Sequence, residues 1–153
     1  MRIVGLDVGA RRIGLAVSDA TCTLARPVGV LRPAALEDAP RLAAAEIGRL
    51  AAEEDGVSSI VVGLPRHLDG SASAMTARVT VFAEELGRLT RLPVTLQDER
   101  LTSRDAESRL AITDKDWRTR KARLDAAAAA IILQDYLDIR PDRPIPIVAD
   151  PDM

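Results

Sequence analysis

Among the 153 residues of this chain, Asp7 is the one whose sequence neighbours most directly indicate a chemical role. It lies near the end of an apolar segment, residues 2–9 (RIVGLDVG), which is typical of a β-strand. Side chains of a strand alternate between its two faces, and here both faces are apolar, as in the central strand of a sheet. An ionised carboxylate is costly in that setting unless a metal ion or a basic side chain meets it. Asp7 is therefore either a paired structural acid or a working group.

Two further acids stand where a fold could bring them to Asp7. Glu99 follows a strand predicted over residues 93–97, and ligand sites in α/β sheets gather at the carboxyl ends of strands. Asp125 opens a predicted helix, residues 125–137, that is apolar nearly all round, as buried helices are. Carboxylates are the ligands that Mg²⁺ and Mn²⁺ prefer, and two such ions about 3.5–4 Å apart can stabilise both oxygens that change in phosphodiester cleavage.

Each acid also has a purely structural interpretation. Asp7 and Glu99 could pair with the arginines that follow them in the sequence, and Asp125 could be a favourable acid in the first turn of a helix. Strand alternation adds a second open point, because Asp98 and Glu99 would face opposite sides of the sheet. Spacing alone leaves open which of the two faces Asp7.

Basic residues lie close to each acid in the sequence. Arginine side chains suit phosphate because they donate two parallel hydrogen bonds, although basic runs are also common on solvated surfaces. The loop after Pro65 carries the only histidine, His67, and either contacts substrate or forms a simple turn. The candidate substrate-binding residues are Arg11, Arg12, Arg100, Arg118, Arg120, Lys121 and Arg123.

The elements that must position these residues begin with strands and continue as alternating helices and strands. Apolar segments at 2–8 and 12–18 form a hairpin-like pair around a glycine turn. This order predicts an α/β fold with a mixed central sheet, antiparallel early strands plus parallel strands, flanked by helices. The other predicted elements are strands at 27–31, 59–63 and 93–97, helices at 35–54, about 75–89 and 125–137, a short helix from Thr102, and a polar loop at 113–121.

Composition predicts one globular domain, residues 1–139, followed by a Pro-rich tail, residues 140–153. Hydrophobic residues make up 47% and charged residues 29%, but aromatics only 2%, which argues against binding of single strands by stacking on aromatic platforms. The lone cysteine, Cys22, excludes an intrachain disulfide and a cysteine metal site. No apolar run approaches the ~20 residues of a membrane helix, so we expect a cytoplasmic protein with no membrane partner.

Four segments resemble, in order, the motifs of the YqgF/RuvX family of bacterial RNase H-like nucleases. The resemblance spans roughly residues 2–138, and its one departure is His67, where an asparagine-like residue is expected. The four segments are residues 3–19 (IVGLDVGARRIGLAVSD), 63–70 (GLPRHLDG), 98–103 (DERLTS) and 125–134 (DAAAAAIILQ).

The resemblance implies an RNase H-like fold and a metal-dependent nuclease site. It implies that Asp7, Glu99 and Asp125 hold Mg²⁺ or Mn²⁺, two ions in all, and it favours Glu99 over Asp98. Members are described as Holliday junction resolvases and as nucleases that mature the 5′ end of pre-16S rRNA. The expected partner is therefore structured RNA such as pre-rRNA, or branched DNA, and junction cleavage would call for a homodimer.

Two other functions remain open on the sequence. One is a non-catalytic nucleic-acid-associated or ribosome-associated factor that keeps the same fold. The other is a sugar-kinase or actin-like ATPase, because residues 7–9 (DVG) followed by Arg12 resemble the first phosphate loop of that superfamily. Such ATPases build their cleft between two similar domains, and this chain has room for one.

Overall fold

The computed structural model describes residues 1–65, 69–98 and 117–139, with side chains of the last range described from Ala126 onward. The helix predicted from Thr102 and the tail predicted at 140–153 lie outside the described residues. The strands are β1 (Arg2–Val8), β2 (Ile13–Ser18), β3 (Ala25–Leu31), β4 (Val57–Leu64) and β5 (Val94–Asp98); the helices are α1 (Ala39–Ala51), preceded by a 3-10 turn (Leu36–Asp38), α2 (Ala74–Thr90) and α3 (Trp117–Ile139).

The five strands form one mixed sheet in the order β3-β2-β1-β4-β5. β1 pairs antiparallel with β2 and parallel with β4, β2 pairs antiparallel with β3, and β4 pairs parallel with β5. The predicted mixed sheet is confirmed, and β1 is its central strand, as its two apolar faces indicate. No helix in the described part of the chain is long and apolar enough to cross a membrane.

Helices cover both faces of the sheet. α1 and α2 pack on one face through residues spaced three or four apart, among them Ile47 and Leu50 of α1 and Phe82 and Leu86 of α2. We call this the α1/α2 face; its strand residues include Val4, Leu6, Ile60 and Val62. α3 covers the other face, the α3 face, where Ile3, Ala16 and Val61 meet Ala129, Ile132, Leu133 and Tyr136.

α3 packs tightly against β1 at Gly5. A Cβ atom placed on Gly5 would lie 2.7 Å from Cβ of Leu133 and 3.2 Å from the carbonyl oxygen of Ala129. Farther along α3, the Gln134 amide accepts a hydrogen bond from the Ala25 N–H at 2.8 Å. Ala25 lies at the sheet end where β1 begins, so α3 runs antiparallel to β1.

The predicted polar loop at 113–121 is wrong for residues 117–121, because α3 begins at Trp117 and not at Asp125. Residues 117–124 contain no glycine or proline, and arginine, lysine, alanine and leucine all have high helix propensity. A polar stretch that is also a good helix former gives no apolar periodicity from which its helix could be recognised.

The close approach at Gly5 yields a stability test. We expect Gly5→Ala to lower the free energy of unfolding by about 1–3 kcal/mol, because the added methyl group must displace α3. Gly29→Ala is the matched control: it makes the same change in β3, where an added Cβ has no neighbour within 4 Å. Urea unfolding of both variants measures the difference, and equal values would contradict the tight contact.

Candidate active site at the carboxyl ends of the parallel strands

Asp7 lies at the edge of the sheet where the three parallel strands end. It is the penultimate residue of β1 and is partly buried. Its partner on β2 is Gly14, and because Leu6 pairs with Val62, Asp7 lies level with Gly63 on β4. Glycine has no side chain, so the two nearest neighbours of Asp7 within the sheet leave space beside its carboxylate. The carboxyl edge of such a sheet is the usual position of a ligand site.

The strand register separates Asp98 from Asp7. Asp98 pairs with Leu64, which belongs to the core on the α1/α2 face. Asp7 lies level with Gly63 and Gln97, which are one residue before Leu64 and Asp98 on their strands. Asp98 and Asp7 therefore occupy opposite faces of the sheet. Glu99, the other candidate left open by the sequence, lies outside the described residues, as do Arg100 and His67.

The backbone of α3 brings position 125 to the level of Asp7. Ala129 lies over Gly5, and position 125 is four residues, about 6 Å, closer to the start of α3. Asp7 is two residues, about 6.6 Å, farther along β1, which runs the opposite way. Asp125 is the ninth residue of α3, so the interpretation that it is a first-turn acid beside the helix dipole is wrong.

Candidate cations gather at the same edge by the placement of the backbone. Arg11 is exposed and Arg12 partly buried in the turn between β1 and β2, where the Gly9 N–H donates to the Arg12 carbonyl at 2.8 Å. The first two turns of α3 extend about 12 Å beyond position 125, past the carboxyl edge of the sheet. They carry Arg118, Arg120, Lys121 and Arg123, whose side chains are outside the described set.

Hydrogen bonds hold the described parts of the connection between β4 and α2, which are Pro65 and residues 69–73. The Thr76 hydroxyl donates to the Pro65 carbonyl at 2.5 Å and accepts from the Ser73 N–H at 2.7 Å. The Asp69 carboxylate accepts from the N–H and hydroxyl of Ser71 at 2.9 and 2.7 Å. These bonds fix the flanks of the segment that carries the predicted second motif.

Among residues 1–65, 69–98 and 126–139, no three His, Cys, Asp or Glu side chains cluster closely enough to hold a metal ion. Asp7 is the one member of the predicted acidic triad whose side chain is described. The glycines beside it could not be recognised from the sequence, because strand pairing and not chain spacing makes Gly14 and Gly63 its neighbours.

Sequence comparison relates this chain to one protein family. A family model described as RuvX, Holliday junction resolvase, matches residues 1–139. A protein of Anaeromyxobacter sp. (strain Fw109-5) named "Putative pre-16S rRNA nuclease" is 45% identical over 142 residues, which cover 92% of this chain and 98% of that relative. A protein of the same name from Dechloromonas aromatica (strain RCB) is 42% identical over 136 residues, 89% of this chain and 90% of the relative.

Two solved structures share the architecture at low sequence identity. A Thermus thermophilus RuvC structure superposes with a TM-score of 0.53 at 13% identity, over 90% of this chain and 97% of that one. The Fowlpox virus resolvase, solved with substrate Holliday junction DNA, gives a TM-score of 0.55 at 13% identity over the same shares. These similarities bear on the fold alone. The sequence match over residues 1–139 and the shared architecture together show that this chain is a member of the RuvX family with an RNase H-like fold.

Proposed function

We propose that this protein is a metal-dependent nuclease that hydrolyses phosphodiester bonds, and that its substrate is the 5′ end of pre-16S rRNA. The observation that carries the proposal is the position of Asp7, a partly buried carboxylate flanked by glycines at the carboxyl end of the central strand. The name shared by relatives 42–45% identical to this chain supports the substrate. Processing of ribosomal RNA in turn places the proposed activity in the cytoplasm.

The proposed metal ligands are Asp7, Glu99 and Asp125, with Mg²⁺ or Mn²⁺ as the ions and two ions per site. Asp7 fits this role because carboxylate oxygens are hard ligands and Gly14 and Gly63 leave space beside them. The backbone level of position 125 fits this role as well. When bound, such ions activate the attacking water and stabilise the leaving oxygen.

The chain's own part in the reaction is to hold the scissile phosphate against this edge. Asp7 and Asp125 belong to β1 and α3, whose relative position is set by the contact at Gly5. Arg11 and Arg12 in the β1–β2 turn, Arg100, and the basic start of α3 are the proposed phosphate-binding residues. Their spread along one edge suits a polyanionic chain rather than a single small phosphate.

Resolution of a four-way DNA junction is the second candidate. The description of the family model favours it, as does the fold shared with a resolvase solved on junction DNA. Symmetric cleavage of two strands requires two active edges, hence a homodimer. Cleavage of an RNA end requires only one active edge and therefore no dimer.

A substrate panel decides among these functions. Purified protein is offered a precursor RNA extended beyond the 16S 5′ end, an unrelated single-stranded RNA and a four-way DNA junction, each with Mg²⁺, Mn²⁺ or EDTA. We expect metal-dependent shortening of the precursor, which EDTA abolishes. Preferential junction cleavage would favour the second candidate. Binding without cleavage in either metal would contradict a nuclease and favour a non-catalytic factor.

Asp7 and Asp98, two acids on opposite faces of the sheet, provide a matched pair of variants. We expect Asp7→Asn to lower the Mn²⁺-dependent cleavage rate more than about 100-fold, because the charge stabilisation at stake amounts to several kcal/mol. Asp98→Asn makes the same change on the opposite face and should leave the rate close to that of the unaltered protein. Initial rates on the precursor RNA measure both, with thermal melting as the control for folding. Unchanged cleavage by Asp7→Asn would rule the proposed site out.

The basic start of α3 offers a second comparison. Positions 118 and 121 lie seven and four residues before Asp125, on the same side of the helix, whereas positions 120 and 123 lie on the other side. We expect Arg118→Ala with Lys121→Ala to weaken RNA binding about tenfold or more and to reduce the salt dependence by about 0.7 per lost contact.

Arg120→Ala with Arg123→Ala removes the same net charge and should weaken RNA binding less. Fluorescence anisotropy over a salt series measures both pairs of variants on the same RNA. Equal losses would mean that these cations act only through overall charge and not through their side of α3.

A further inference from the structure

An apolar groove of about 690 Å³ opens on the α1/α2 face at the same edge of the sheet. Its volume falls within the range of specific binding sites. Its floor includes Val8 and Ile13, and its walls are the approach to α1 and the first half of α2. Val8 follows Asp7 directly on β1, so the groove and the candidate active site lie on opposite faces of one strand end.

Two large apolar side chains of the groove are exposed. Val81 of α2 is 63% exposed and Leu36 before α1 is 48% exposed. Val81 points away from the helix face that carries Val79, Phe82 and Leu86 into the core. The groove therefore combines an apolar hollow with exposed apolar side chains at its border.

The rim of the groove carries charges of both signs. Arg11 and Arg78 are its cations, and Glu37 and Glu85 are its anions. Glu85 is ionised, since the hydrogen bond from Arg88 lowers the pKa of its carboxyl group. Two cations and two anions leave the groove itself without the net positive charge that a nucleic acid needs, although Arg11 also borders the edge where phosphate is proposed to bind. They favour a protein partner whose own charges are balanced.

We propose that a second copy of this chain occupies the groove, in a two-fold dimer in which the Val81 side chain of each copy enters the groove of the other. A two-fold axis pairs a patch with itself, so a suitable patch must contain both a projection and a hollow, and both signs of charge. The groove with Val81, Leu36 and its four charged residues has all of these. The dimer rests on the proposed function in one respect: it supplies the two active edges that junction cleavage requires.

Analytical ultracentrifugation of the full chain over a concentration series tests the dimer without any substrate. We expect a monomer–dimer equilibrium that Val81→Asp weakens at least about tenfold, because each copy would bury an unpaired charge. Val81→Ile keeps an apolar side chain and should retain the dimer. Ala51→Asp adds the same charge at the far end of α1 and should also retain it. Thermal melting checks that the variants fold.

Three results would overturn the proposal. The first is a chain that stays monomeric at every concentration, because a second copy would then not occupy the groove. The second is a dimer that Val81→Asp leaves intact, since it would use another surface. The third is equal weakening by Val81→Asp and Ala51→Asp. None of them depends on cleavage, so failure of the dimer and failure of the nuclease activity are told apart by separate measurements.

Discussion

The contact between α3 and β1 at Gly5 is the constraint on which the rest of the site depends. A helix can lie this close to a sheet only where the strand beneath it has no side chain. Ala129 and Leu133 fix both the height of α3 above the sheet and its register along β1. That register brings position 125 to the level of Asp7, although neither acid takes part in the contact. The packing of apolar residues between α3 and β1 thus determines where Asp7 and position 125 lie relative to each other.

The central strand ends in two residues with different surroundings. Asp7 belongs to the α3 face, beside two glycines, and Val8 belongs to the α1/α2 face, at the floor of the groove. The sheet keeps the proposed chemistry and the proposed dimer contact apart while holding both at one edge. The formal net charge of −2 is compatible with a polyanionic substrate, because a local group of cations at one edge can attract phosphate whatever the net charge of the whole chain.

Much of this arrangement could be predicted from residue patterns. The two apolar faces of residues 2–8 indicate the central strand, and the alternation of elements indicates the mixed sheet. The start of α3 could not be predicted, because residues 117–124 form a helix without an apolar period. The pairing of residues between neighbouring strands could not be predicted either. The register of the strands places Asp98 on the face opposite Asp7, and it places glycines beside Asp7. Spacing along the sequence does not reveal that register.

The central position of the first strand also determines when the site can exist. β1 precedes the other described strands and helices, yet its neighbours include β4 and α3, which lie far from it in the sequence. A hairpin of β1 and β2 can form early, but the face that carries Asp7 stays uncovered until α3 has been made. The element that covers this face thus follows all five strands of the sheet in the sequence, so the surroundings of Asp7 are complete only after α3 has been made.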